Sequence, residues 1–174
     1  MPCLTRKRKS KIPVVKFLNS KFTPLQEWRK GKIRRFLWRE YMRDYATRGL
    51  NEGDTMKIKE DCTFVVQEIT PSGKKTIGAV EYYTEKPTKT SHVHKIGKGG
   101  KYVYLGMFKG IIPRNGRKMM LFLLDRLRKE QADYVQLLCS KKNPFLIEFY
   151  ASSGFEVICG DQQGYVVMNL TLTR

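Results

Sequence analysis

The sequence predicts an α/β (α+β) chain built on a mixed seven-stranded sheet flanked by about four helices. Three observations carry this. From Tyr102 to Phe155 an apolar strand, a basic loop, a helix, a second strand and a second helix follow one another, and strand, helix, strand over so short a stretch is a βαβ unit with parallel strands and a right-handed crossover. Before it, Pro71-Ser72-Gly73-Lys74 separates two apolar runs, the signature of a hairpin. After it, Asp161-Gln162-Gln163-Gly164 separates two more.

At 174 residues with 41% hydrophobic side chains the chain can bury one core. It divides into a basic N-terminal arm, residues 1–11, and one domain over 12–174. No run is apolar and long enough to span a membrane, and the basic start is not followed by the apolar stretch of a signal peptide. The expected location is the cytoplasm. Cys3, Cys62, Cys139 and Cys159 form no C-x-x-C pair, which points to reduced thiols rather than a zinc site or disulfide framework.

In chain order, Ile12 to Leu18 reads as a first strand. Thr23-Pro24 has the residues of a helix start, and the helix, interrupted or kinked near Gly31, continues to about Ala46. From Gly31 on, Ile33, Leu37, Tyr41 and Tyr45 share one face and Lys32, Arg35, Arg39 and Arg43 another. Two hairpin strands follow, Cys62 to Ile69 and Thr76 to Thr84. Glu85 to Lys101, with Pro87, three glycines, five lysines, His92 and His94, reads as a long irregular connection of the kind that carries function. The βαβ unit then runs through the strand Tyr102 to Phe108, a helix ending near Glu130, the strand Tyr134 to Cys139 and a helix within Asn143 to Gly154. Strands Phe155 to Cys159 and Tyr165 to Leu172 complete the sheet.

Charge selects the partner. Thirty-four Lys and Arg stand against sixteen Asp and Glu, a net +18, and residues 1–48 hold fifteen of the bases and three of the acids. A clustered excess of this size favours nucleic acid over general solubility. The ridge Lys32, Arg35, Arg39 and Arg43 is read as a phosphate-contacting surface, the alternative being a solvated face paired with Glu40 and Asp44. Trp38 beside it could stack on bases; Trp28 is expected in the core.

The loop Ile112-Pro113-Arg114-Asn115-Gly116-Arg117-Lys118 opens a helix whose first amides, with the macrodipole, attract an anion. A turn glycine beside a solvated helix start is the other reading. His92 and His94 could face one way on an extended backbone, but no third ligand lies nearby, so contact with a substrate is preferred to a metal site.

With Asn143 and Tyr150 seven residues apart and Gly154-Phe155 next, the chain resembles the GCN5-related N-acetyltransferase superfamily over nearly its full length. Where the family's loop carries further glycines this chain has Lys118 and Met120. The resemblance implies acetyl-CoA as cofactor and small-molecule acyl donor. It also implies binding through Gly110, Ile111, Ile112, Arg114, Asn115, Gly116, Arg117, Lys118 and Asn143, and Tyr150 as the acid that protonates the departing sulfur. Strand Tyr102 to Ile112 has no carboxylate, which leaves Glu81 on the preceding strand, or a water chain, as base. The function expected is acetyl transfer to an amine on or near nucleic acid. The alternative is a nucleic-acid-binding or DNA-modifying protein of that fold that no longer uses acetyl-CoA in the usual way.

Overall fold

A computed structural model of the chain describes residues 19–28, 31–48, 59–160 and 164–172, with side chains in the first helix described for 31–40. The elements are β1 (Ser20–Pro24), a 3-10 turn (Leu25–Glu27), α1 (Gly31–Arg48), β2 (Thr63–Thr70), β3 (Gly73–Thr84), β4 (Tyr102–Gly110), α2 (Gly116–Lys129), β5 (Tyr134–Ser140), α3 (Pro144–Ser152), β6 (Glu156–Gly160) and β7 (Tyr165–Thr171). The seven strands form one sheet in the order β1-β2-β3-β4-β5-β7-β6. Every neighbouring pair is antiparallel except β4 and β5.

The βαβ unit and both hairpins stand where the sequence places them. The beginning of the chain differs. Thr23 and Pro24 end a strand rather than opening a helix, because Ser20 to Pro24 pairs with Phe64 to Glu68 of β2; strand pairing overrides the local cap signal, and proline is tolerated at the end of an edge strand. The first α-helix starts at Gly31, so the described residues hold three α-helices and one 3-10 turn instead of about four helices. The basic arm and the strand expected at Ile12 to Leu18 lie outside the described residues.

Alternation along the strands divides the core in two. On one face Val66, Ile77, Val80, Tyr82, Val103 and Leu105 pack under the apolar side of α2, with Met119, Met120, Leu123 and Leu127, and under Tyr150 of α3. On the other face Val65, Ala79 and Met107 are covered by Ile33 and Leu37 of α1, with Leu25, Trp28 and Phe36. An edge group fastens α2 to the first strands: Tyr82 donates its hydroxyl hydrogen to Glu130 and accepts from Arg126 Nε, and the Arg126 guanidinium lies 4.8 Å from the Phe22 ring and 5.0 Å from the Phe64 ring.

Candidate active site

The parallel pairing that joins the two halves of the sheet is short. Tyr102, Val103 and Tyr104 pair with Tyr134, Val135 and Gln136, after which β4 runs on to Gly110 and β5 to Ser140 without further pairing to each other. The strands splay and leave a wedge between their C-terminal ends, where open α/β sheets hold ligands.

Tyr150 stands in this wedge. Its ring meets Phe108 of β4 edge-on at 6.5 Å, Phe149 at 5.3 Å and Phe155 at 5.6 Å. Burial, with a smaller push from Cys139 of β5, raises its hydroxyl pKa above the usual phenol value and so favours the protonated form. The spacing that the sequence displays has a physical cause. Asn143 Oδ1 accepts from Leu146 N at 3.2 Å and caps the start of α3. At the other end Phe155 N bonds to Tyr150 O at 3.1 Å and Gly154 N to Ala151 O at 3.0 Å. This is a Schellman stop, with Gly154 at φ +97 supplying the left-handed residue and Phe155 folding back on Tyr150. Cap and stop together fix the length of α3 and aim Tyr150 into the wedge. The cap also engages the Asn143 oxygen, leaving its Nδ2 as the donor for any ligand.

The mouth of the wedge is the loop between β4 and α2. Ile111 N bonds to Ile77 O at 2.9 Å, and Arg114 sits at φ +68. Asn115 at the helix boundary makes no side-chain cap, and no acid stands in the first turn of α2. The first-turn amides of α2 are thus open to an anion, with the exposed Arg114 and Arg117 beside them. Gly116 lies against α3: a Cβ there would come 3.3 Å from Phe149 Cε2. Lys118 is turned to β2, its Nζ 2.8 Å from Glu68 Oε1. Gly110 and Ile111 are exposed and Ile112 half-buried at the end of β4.

Glu81 reaches the wedge from the opposite face, which it shares with Ala79. The register of β3 against β4 passes from Glu81↔Met107 to Tyr82↔Leu105, so Gly106 is an extra, bulged residue. The Glu81 side chain, 8% exposed, lies over it. Glu81 and Tyr150 flank the wedge from opposite sides of the sheet. The bulge had a signal in the sequence, a glycine inside an apolar strand.

Beyond the end of β4 the α1 face opens into a cavity of about 830 Å³, lined by Lys32, Arg34, Arg35, Arg39, Trp38 and Ile111 among others. Three of the four ridge cations are therefore gathered around one concave surface; the side chain of Arg43 lies outside those described. Arg34, missed in the sequence, joins them while also bonding to Glu60 and to Leu25 O. Glu40 pairs with Lys109 of β4 at 3.7 Å. Trp38 is 56% exposed, unlike Trp28, which packs against the α1 core. The two loop histidines sit on the α1 face of the sheet: the His92 ring stacks on Tyr104, and His94 N bonds to Gln136.

The sequence matches no protein-family model and no curated protein. Solved structures similar to the fold include acetyltransferases at low identity. A Bacillus subtilis acetyltransferase in complex with CoA has a TM-score of 0.54 at 10% identity, over 90% of this chain and 100% of that one. A GNAT-family acetyltransferase from Listeria monocytogenes has a TM-score of 0.53 at 15% identity, over 89% and 95%. Naa50 of Arabidopsis thaliana, bound to a bisubstrate analogue, has a TM-score of 0.50 at 13% identity, over 88% and 99%. Together with the splayed β4 and β5, the bulged β4 and the order of the strands, these likenesses show that the chain has the fold of the GCN5-related N-acetyltransferases.

Proposed function

We propose that this chain is an N-acyltransferase that moves an acetyl group from acetyl-CoA to an amine carried on, or held beside, a nucleic acid. The observation that carries the reading is the wedge between β4 and β5, which has Tyr150 on one side, Glu81 on the other and an uncapped, acid-free helix start at its mouth.

The residues fit the donor. The first-turn amides of α2 with Arg114 and Arg117 would hold its pyrophosphate, and Gly110, Ile111 and Ile112 would border its acyl end, where a backbone N–H can polarise a carbonyl. Asn143 would contribute through Nδ2. Lys118, engaged with Glu68, would add charge near the phosphates rather than a direct contact. Acetyl-CoA, when bound, supplies an activated acyl thioester. Glu81 then takes a proton from the attacking amine, and Tyr150 gives its hydroxyl proton to the sulfur as the carbon–sulfur bond breaks. The cavity beside Ile111 supports an acceptor with phosphates, since Lys32, Arg35 and Arg39 line it and few acids stand nearby.

Calorimetry of acetyl-CoA against nucleic-acid-free protein tests the donor. Stoichiometric binding supports the reading. No binding would leave a nucleic-acid-binding protein of this fold that has given up the donor. For the acceptor side, Arg35→Glu with Arg39→Glu should weaken oligonucleotide binding and reduce the steepness of its salt dependence, because fewer counterions are released. Unchanged affinity would remove the ridge from the acceptor site.

A further inference from the structure

The α1 face carries a second feature that the chemistry above does not use. Tyr83 of β3 and Tyr104 of β4 lie with ring centroids 5.6 Å apart, and the His92 ring stacks on Tyr104 at 4.8 Å and 27°. Lys59 closes the other end of the row, its Nζ 4.4 Å from the centre of the Tyr83 ring and 3.4 Å from its hydroxyl. His92 is not a loosely solvated loop residue. Its backbone N–H bonds to Glu85 Oε1 at 3.1 Å, its Nδ1 lies 3.5 Å from Glu85 Oε2, and its ring rests on Tyr104, yet its side chain is 52% exposed. The ring is thus held by Tyr104 on one side and by Glu85 at Nδ1, with about half of the side chain open to a flat partner.

The row adjoins both the site and the cavity. Tyr83 follows Glu81 by two residues on the same strand face, and Tyr104 precedes Gly106 by two, so the row borders the carboxylate that would take the amine proton. On the cavity side one short turn touches both features: Glu60 bonds to Arg34, which lines the cavity, and the preceding Lys59 bonds to Tyr83.

We propose that this row is a stacking platform for an unpaired base, and hence that the acceptor is single-stranded nucleic acid, with phosphates in the α1 cavity and a base laid on His92. The inference rests on the nucleic-acid reading above and narrows it. A cationic amine would also suit aromatic faces, but Lys59 caps one end of the row, and the connection that brings His92 carries five lysines. Against the single acid Glu85, this excess of lysine favours a polyanion over a cation. A base inside a duplex is stacked on its neighbours and cannot reach a platform without being extruded.

The test is fluorescence anisotropy with a labelled short oligonucleotide as single strand, as duplex, and as a single strand abasic at its central positions. The comparison is between the wild type, His92→Ala, Tyr104→Leu, and Arg35→Glu with Arg39→Glu. Tighter binding of the single strand is expected, together with a loss of about tenfold in its affinity in His92→Ala. That loss should vanish on the abasic strand, and the salt dependence should stay unchanged. His92 lies outside the core, so this variant keeps its fold; Tyr104→Leu provides the second reading of the same row. Equal affinity for duplex and single strand, or no effect of either variant, overturns the platform while leaving the ridge in place. No binding of any oligonucleotide overturns the platform together with the reading beneath it, and no effect of the arginine reversal overturns the placing of phosphates in the α1 cavity.

Discussion

The carboxylate of Glu81 lies against the α-carbon of Gly106, so closely that a methyl group at Gly106 would stand 2.5 Å from Glu81 Oε1. Any side chain at this bulged residue of β4 would displace the Glu81 carboxylate, which reaches the wedge from the α1 face.

Gly106→Ala therefore separates geometry from stability. The obstruction is the movable end of a side chain, so the melting temperature should change little. Acetyl transfer should fall by about a hundredfold, the usual worth of a positioned base. Glu81→Gln should match it. Steady-state rates beside a thermal melt check both, and full activity in Gly106→Ala would remove Glu81 from the reaction.

Tyr150→Phe removes only a hydroxyl, for which no described residue provides a hydrogen bond. The variant should fold as the parent does and bind acetyl-CoA with unchanged affinity, while turnover falls by about a hundredfold or more. Because burial raises the pKa of this hydroxyl, the rate should not decline near pH 10 through loss of its proton. A wild-type profile that falls with an apparent pKa near 10, flat in the variant, would contradict the burial argument.

Asn143→Ala should cost about 1 kcal/mol of stability, the ordinary worth of a helix cap, measured by denaturant titration. Gly154→Ala should cost at least as much, since the residue is held at φ +97 and a Cβ would come 3.2 Å from Leu170 Cδ1. Gly154→Ala should lower turnover more than it weakens donor binding, because it loosens the helix that aims Tyr150, whereas Asn143→Ala should weaken donor binding as well, since it also removes Nδ2.

Gly78→Ala should be the most damaging single methyl. Its Cβ would overlap the Met119 sulfur and the Lys109 carbonyl oxygen, and the latter is backbone of the paired strand, which cannot move aside. Overpacking of this kind costs about 1–3 kcal/mol, and a melt should show it without any change in m-value.

Alkaline pH should destabilise the fold. Burial raises the pKa of both Tyr82 and Tyr150 above the ordinary 10.0, and pushes the Cys62 thiol from 9.0 up to about 11. A group whose pKa is higher in the folded chain contributes stability that is complete below its unfolded value and is lost as pH rises through the folded one. Melting temperature should hold up to about pH 9 and then decline. Tyr82→Phe should shallow the decline above pH 10.

How much of this was written in the sequence depends on the range of the interaction. Local period and turn chemistry were enough for the βαβ unit, for both hairpins and for α3. The Asn143, Tyr150 and Gly154-Phe155 spacing was legible as a motif, but its cause, a cap and a Schellman stop at the two ends of one short helix, was not. Thr23-Pro24 misled because a helix start and the end of an edge strand share residues, and only pairing with β2 decides between them. Gly106 inside an apolar strand carried an unread signal of a bulge; which carboxylate would fill the space depended on the register of β3, which no local pattern contains. The row of Tyr83, Tyr104 and His92 was invisible for the same reason, since its members come from two strands and a long connection.

Three residue pairs form the whole parallel ladder between β4 and β5. In mechanical terms the sheet is two antiparallel panels, β1-β2-β3-β4 and β5-β7-β6, riveted at one end. The rivet is also the pairing that needs the crossover through α2 to bring its strands together. Strand pairing between the panels is confined to these three residue pairs, while the core under α2 is shared by both. Hydrogen exchange should reveal two protection levels across the panels, with the seam at Val103 and Val135 setting whether they report one cooperative unit or two.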